Sequence, residues 1–159
     1  MWILNITILL IGKSLFAMRL IPALFGALAL IPLNLSVQLL GGSRKAVILA
    51  SIAFILSPIY LAYCGYYSMN SIDLLLWSSA IYLVIKLQKS QDPKYWIWLG
   101  VTMGLALLNK IGMLWFGLGL FISLILTDER KWLSTRWPYL AGITALFNVF
   151  AIPDLECAA

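Results

Sequence analysis

LIPALFGALALIPLNLSVQLL, residues 20–40, contains no charged side chain and only Asn34, Ser36 and Gln38 as polar ones. A helix resting on a soluble core needs a polar face, and this run offers almost none. Roughly 20 apolar residues cross the hydrocarbon core of a bilayer, so its length suits a span. Residues 46–66, AVILASIAFILSPIYLAYCGY, have the same character. The whole chain of 159 residues follows suit: 63% are hydrophobic and 11% charged, well below the roughly 25% charged of a soluble domain. Its mean hydropathy is +0.98. Composition therefore excludes a soluble enzyme and predicts an all-α, polytopic transmembrane bundle.

Six apolar segments qualify as spans: 20–40, 46–66, 71–87, 95–110, 112–127 and 138–152. Three of the loops between them, 41–45, 86–94 and 127–136, hold Arg44, Lys45, Lys86, Lys89, Lys94, Arg130, Lys131 and Arg136. They alternate with two tight turns, 66–71 and 109–112. Basic loops stay in the cytoplasm, which puts both tight turns on the opposite side. The aromatic residues Tyr95, Trp96, Trp98, Trp132, Trp137 and Tyr139 flank the basic loops as interfacial anchors. The net charge of +5 thus reports topology; without a basic stripe carrying interleaved aromatics it gives no reason to expect nucleic acid. Residues 1–19 have too short an apolar run to span, no basic start and no small-residue cleavage pattern, so they are expected to form an extracytoplasmic interfacial helix rather than a signal peptide. Residues 20–152 then form the membrane module and 153–159 a tail.

Against this background YYSMNSIDLLLW, residues 66–77, stands out for Asn70 and Asp73. An ionisable group within a membrane segment costs on the order of 3 kcal/mol on insertion scales and by default marks a function or a water-filled cavity. A second reading stands beside it: Asn70 as N-cap with Asp73 in the first turn, facing the positive end of the helix dipole. Lys110, in LALLNKIGMLW, has no acidic neighbour in sequence; its alternatives are snorkelling to the interface or a binding role. Two turns on one side, one acidic and one basic, suit a pocket for a phosphate-bearing ligand.

The order of several short pieces resembles the GT-C glycosyltransferases, in the branch of protein O-mannosyltransferases and lipid A aminoarabinose transferases (glycosyltransferase family 39-like). These pieces are G-x-S-x-x-x-x-R-L from Gly12 to Leu20, the basic turn from Gly41 to Lys45, Ser57–Pro58 with its downstream tyrosines, the polar turn before Trp77, and G-L-x-L-L-x-K from Gly104 to Lys110. Together they cover about residues 10–147. The resemblance implies transfer of a sugar from a polyprenyl-phosphate donor to an acceptor on the extracytoplasmic side. It implies substrate-binding roles for Arg19, Asn70, Asp73 and Lys110, with the two cations stabilising the departing phosphate. Relatives carry an Asp about where Asn70 or Ser71 stands; here the carboxylate is Asp73.

Relatives also hold an Asp-Glu type loop ahead of this region, which supplies the catalytic carboxylate. No catalytic residue is assigned within this sequence, and the chain is expected to be a fragment of a larger enzyme; Asp154 and Glu156, in the tail, are poor substitutes. A divalent cation belongs, if anywhere, to the complete enzyme. The sequence has no His, and Cys64 and Cys157 match no zinc or redox spacing, so neither a metal site nor another cofactor is assigned. Gly100, Gly104, Gly117 and Gly119 are expected to allow close helix packing, and Pro22, Pro32 and Pro58 to kink their spans. The expected partners are membrane lipid and a polyprenyl-phosphate-linked sugar, in a prokaryotic inner or plasma membrane, with an acceptor the sequence does not name. A small transporter or channel subunit and a non-catalytic membrane scaffold remain as alternative functions.

Overall fold

The computed structural model describes residues 15–65, 69–127, 131–132 and 134–151. Among these residues all regular structure is helical, and there is no strand. The helices are α1 (Leu15–Leu39), α2 (Arg44–Leu56), α3 (Pro58–Gly65), α4 (Met69–Ser90), α5 (Lys94–Asn109), α6 (Met113–Leu126) and α7 (Trp137–Ala151). Of the interfacial helix expected for 1–19, residues 1–14 lie outside the described residues, and Leu15–Arg19 continue directly into the first apolar run as part of α1. The expected tail, 153–159, also lies outside them.

Two helices are long and apolar enough to cross a membrane, Arg19–Leu39 and Asn70–Ser90. A third candidate is the pair Arg44–Leu56 and Pro58–Cys64, bent by 61°. The other three helices have 16, 14 and 15 residues. At 1.5 Å per residue the longest of these covers about 24 Å, short of the ~30 Å hydrocarbon core.

Local chemistry explains where the helices stop. Gly41 has φ +89, and its N–H donates to Gln38 O while that of Gly42 donates to Val37 O. This pairing closes α1 with a Schellman motif, for which glycine is the residue without steric cost. Ser43 then caps α2, its side chain accepting from the Ala46 N–H. At Ser57 the backbone turns extended, with ψ 129, as the ring of Pro58 requires of the residue before it. The same chemistry does not end α1, which continues through Pro22 and Pro32 as one helix. Asp92 starts α5 by accepting from the Lys94 N–H at 3.0 Å, with Pro93 between them.

The chain forms two compact units, residues 1–78 and 79–159, with the boundary inside α4. In the first, α1 packs against α2 and α3. Asn34 meets Ser51, whose hydroxyl donates to Asn34 Oδ1 at 2.7 Å, while a Cβ at Gly26 would meet Cys64 Sγ and lie 2.9 Å from the Tyr60 hydroxyl. As α1 is read backwards from 34 to 26, its partners rise from 51 to 60 and 64, so it runs antiparallel to the bent α2–α3 pair. Phe54 and Tyr60, on either side of the Pro58 break, hold their rings 5.2 Å apart.

In the second unit α5 and α7 make the closest backbone approach. A Cβ at Gly100 would lie 2.5 Å from Ala141 O, and one at Gly104 would lie 3.0 Å from Ala145 Cα. Small residues at i and i+4 on both helices permit this contact, the usual means of helix association in lipid. Because 100 faces 141 and 104 faces 145, the two helices are parallel, and α6 must return the chain between them. Gly117 contributes as expected, with Met103 Cε 2.9 Å from its added Cβ, whereas Gly119 faces open space.

Candidate functional site

Arg19 lies on α1 beyond Gly26, towards the end of the first unit where α3 finishes and α4 begins. Antiparallel packing therefore brings Arg19 and the Asn70–Asp73 stretch to one end of that unit. Arg19 is exposed and Asn70 half-buried. Since α4 already includes Met69, Asn70 sits inside the first turn and Asp73 beyond it. The capping-box arrangement accordingly gives way: a carboxylate at the fifth helical position is past the free N–H groups a cap serves.

What remains is a carboxylate in a membrane helix that capping does not explain. Asp73 Oδ1 is buried and has no hydrogen-bond partner among the described residues. Leaving such an atom unsatisfied costs ~1–3 kcal/mol or more for a charged group, so the turn is built at the expense of stability. Ser71, two residues earlier, is only 2% exposed and takes part in interactions of its own, as does Asn70. Sequence reasoning did not assign Ser71 a role, because a serine in a polar turn looks solvated until its burial is known.

Lys110 belongs to the second unit. It follows the last residue of α5 with extended backbone, φ −159 and ψ 132, and its N–H donates to Ala106 O at 2.8 Å. The residue is exposed and takes part in a further interaction. A cation here also meets the negative end of the α5 dipole, a structural benefit of about 0.3–1 kcal/mol. Beside it Ile111 and Trp115 are among the most exposed apolar residues, at 74% and 73%. A cation set among outward-facing apolar side chains suits an amphiphilic ligand.

The opposite end of the second unit is basic. Lys86 Nζ donates to the Tyr82 hydroxyl at 3.0 Å and lies 4.8 Å from the Tyr95 ring centre. Trp132, from the 127–136 loop, sits with its ring 6.0 Å from that of Trp96 near the start of α5. The end of α4, the start of α5 and the loop before α7 thus meet, gathering Lys86, Lys89, Lys94, Lys131 and Arg136 at one end of the unit, while Lys110 closes α5 at the other. Trp96 is 3% exposed, and its indole N–H has no hydrogen-bond partner among the described residues.

No curated protein and no solved structure matches the chain. The model of one family does, described as dolichyl-phosphate-mannose-protein mannosyltransferase, over residues 1–153. This match extends beyond both limits of the motif series that runs from Gly12 to Lys110. The chain, whose described residues form only helices, two of them long and apolar enough to span, and which is matched over nearly its whole length, belongs to the dolichyl-phosphate-mannose-protein mannosyltransferase family, a GT-C type of glycosyltransferase.

Proposed function

We propose that this chain forms membrane-embedded machinery for transferring a sugar from a polyprenyl-phosphate carrier to an acceptor on the extracytoplasmic side. The family match over residues 1–153 is the observation that carries the reading; it supports a membrane glycosyltransferase function and a lipid-linked donor. We further propose that all six apolar segments cross the membrane. Parallel packing of α5 and α7 supports this, because α6 has to return between them. The gathering of basic residues at the far end of the second unit from Lys110 supports a cytoplasmic assignment for that end.

In this reading Lys110, in the second unit, supplies positive charge to the donor phosphate, and Arg19, Asn70 and Asp73, in the first, are substrate-binding groups, Arg19 by its charge and the other two by hydrogen bonding. Phosphate departure leaves negative charge on the carrier, and a fixed cation lowers the cost of that charge where water is scarce. Asp73 fits a binding turn because its buried oxygen lacks a partner among the described residues, so a sugar hydroxyl donating to the carboxylate would satisfy it.

Titration of the purified chain in nanodiscs with a polyprenyl-phosphate-linked sugar tests the assignment. Lys110→Ala is expected to weaken binding by about 1.5–3 kcal/mol, the range for charge-assisted hydrogen bonds. Lys110→Arg should keep part of the affinity, since charge survives while geometry changes. If Lys110 only anchors the turn at the interface, Lys110→Gln leaves donor affinity intact. Unchanged affinity in both the Ala and the Gln forms removes the phosphate role.

A further inference from the structure

A groove of about 230 Å³ runs between α5, α6 and α7, entirely within the second unit. It begins beside Trp96 and Pro138 and reaches Met103, Gly117 and Ala145, a length of about 10 Å along α5 at 1.5 Å per residue. Its wall is aliphatic and aromatic, and it is open to the surroundings: Phe121 and Tyr139, both lining it, are 55% and 60% exposed. A sugar or a polar peptide would find almost nothing to hydrogen-bond there, whereas a hydrocarbon chain matches the wall.

The groove's mouth has a charge, and the charge selects the occupant. Lys94 opens α5 and Arg136 stands immediately before α7, so an exposed cation marks the start of each of these two helices, at the end of the unit where the groove begins, although neither lines the groove itself. Lys131 is exposed beside Trp132, whose ring packs at a tilt of 59° against that of Trp96. Among the described residues, Asp92 is the acidic group at this end, and its carboxylate accepts from the Lys94 backbone N–H; Asp128 and Glu129 lie outside them. Basic residues at the end of a groove between membrane helices make a headgroup site for anionic lipid.

We propose that this groove binds an anionic glycerophospholipid, part of one acyl chain between α5, α6 and α7 and the phosphate at Lys94 and Arg136. The site does not depend on the transferase reading: it lies at the end of α5 away from Lys110 and uses none of the residues assigned to the donor. Gly142 offers a way to test it. Gly142 lines the groove, and a Cβ built there meets nothing within 4 Å, so a larger side chain fills space that the protein itself does not use.

The chain is reconstituted with equal amounts of palmitoyl-oleoyl phosphatidylglycerol and phosphatidylcholine, delipidated stepwise, and its retained lipid counted by native mass spectrometry. The wild type is expected to retain phosphatidylglycerol preferentially. Lys94→Gln combined with Arg136→Gln should reduce that preference roughly fivefold per charge removed. Gly142→Leu should lose retained lipid of either headgroup, while Gly142→Ala keeps it, which separates filling of the groove from damage to α7. Equal retention of the two lipids by the wild type, or an unchanged preference in the double variant, overturns the proposal. Displacement of the phospholipid by an equal concentration of polyprenyl phosphate would assign the groove to the donor instead, and disulfide-linked dimers from Gly142→Cys would assign the face to a second copy; either result also overturns it.

Discussion

The two units solve the same problem, joining helices in a solvent that gives them no hydrophobic reason to associate, by different means. In the first, a polar pair reaches between helices: the Ser51 hydroxyl on α2 lies 2.7 Å from Asn34 Oδ1 on α1 as well as 2.9 Å from Val47 O of its own helix. In the second, the polar residues of α7 turn back on their own helix, Thr144 donating to Ala141 O at 2.8 Å and Asn148 to Thr144 O at 2.7 Å. Contact with α5 is left to Gly100, Gly104, Ala141 and Ala145. Close backbone packing is intolerant of added atoms, whereas a single interhelical hydrogen bond in lipid contributes little. The second unit should therefore be the more sensitive to substitution at its interface.

Gly100 gives the largest expected effect. Its missing Cβ would meet Thr144 Oγ1 and lie 2.5 Å from Ala141 O and 2.8 Å from Ala141 Cα. Two of these three atoms are backbone, so relief requires α5 and α7 to separate. Gly100→Val is expected to cost about 1–3 kcal/mol, the range for overpacking. Tryptophan fluorescence during an SDS titration checks this, because five of the chain's seven tryptophans lie in the second unit. Gly142→Ala, with open space for its methyl group, is the matched control. Equal midpoints for Gly100→Val and Gly142→Ala would break the comparison.

Asn34→Leu should have a smaller effect, about 0.6 kcal/mol, the average for interhelical hydrogen bonds in a membrane protein. The thiol of Cys64 reports on the first unit, since it is partly buried near Gly26. In a Cys157→Ser background, modification of Cys64 should accelerate only slightly when Asn34 is replaced. A loss larger than that caused by Gly100→Val would reverse the ranking of the two interfaces.

The difference between the units also marks what the sequence could and could not reveal. All six apolar segments contain helix, and their ends fall near residues with a local reason to end one: Gly41, Asp92–Pro93 and the turn through Lys110. Each of these signals is contained in a few consecutive residues. The role of Gly100 and Gly104 was legible for the same reason, since spacing of four puts them on one face. The Asn34–Ser51 pair was not, because its partners are 17 residues apart and meet only once the register of two helices is fixed. Nor did the sequence separate Pro58, which breaks a helix, from Pro22 and Pro32, which do not. At the candidate site, Asn70 and Asp73 stand out as polar residues between apolar runs, but with α4 already including Met69, Asp73 lies past the capping positions and holds one buried carboxylate oxygen in place of a cap.

The smallest effect should come at the junction of α4 and α5, where the second unit departs from the glycine chemistry of the first. α1 ends at Gly41, but α4 ends at Gln91, a non-glycine residue with φ 53. Its backbone N–H donates to Leu87 O at 3.0 Å, so it performs the same closing function in a left-handed conformation that costs a side-chain-bearing residue roughly 1–2 kcal/mol. Part of that cost is offset by its side chain, which donates to Gln88 O at 2.9 Å. Gln91→Gly removes both the strain and the side-chain hydrogen bond, the latter being exposed and worth about 0.5–1.5 kcal/mol at most. A net stabilisation of about 0.5 kcal/mol is expected from the balance, seen as a higher SDS midpoint by tryptophan fluorescence. Gln91→Ala separates the contributions, since it keeps the strain while losing the hydrogen bond and should lower the midpoint. If Gln91→Gly falls with it, the side-chain hydrogen bond outweighs the backbone strain, and the two helix ends differ in their energetics as well as in their residues.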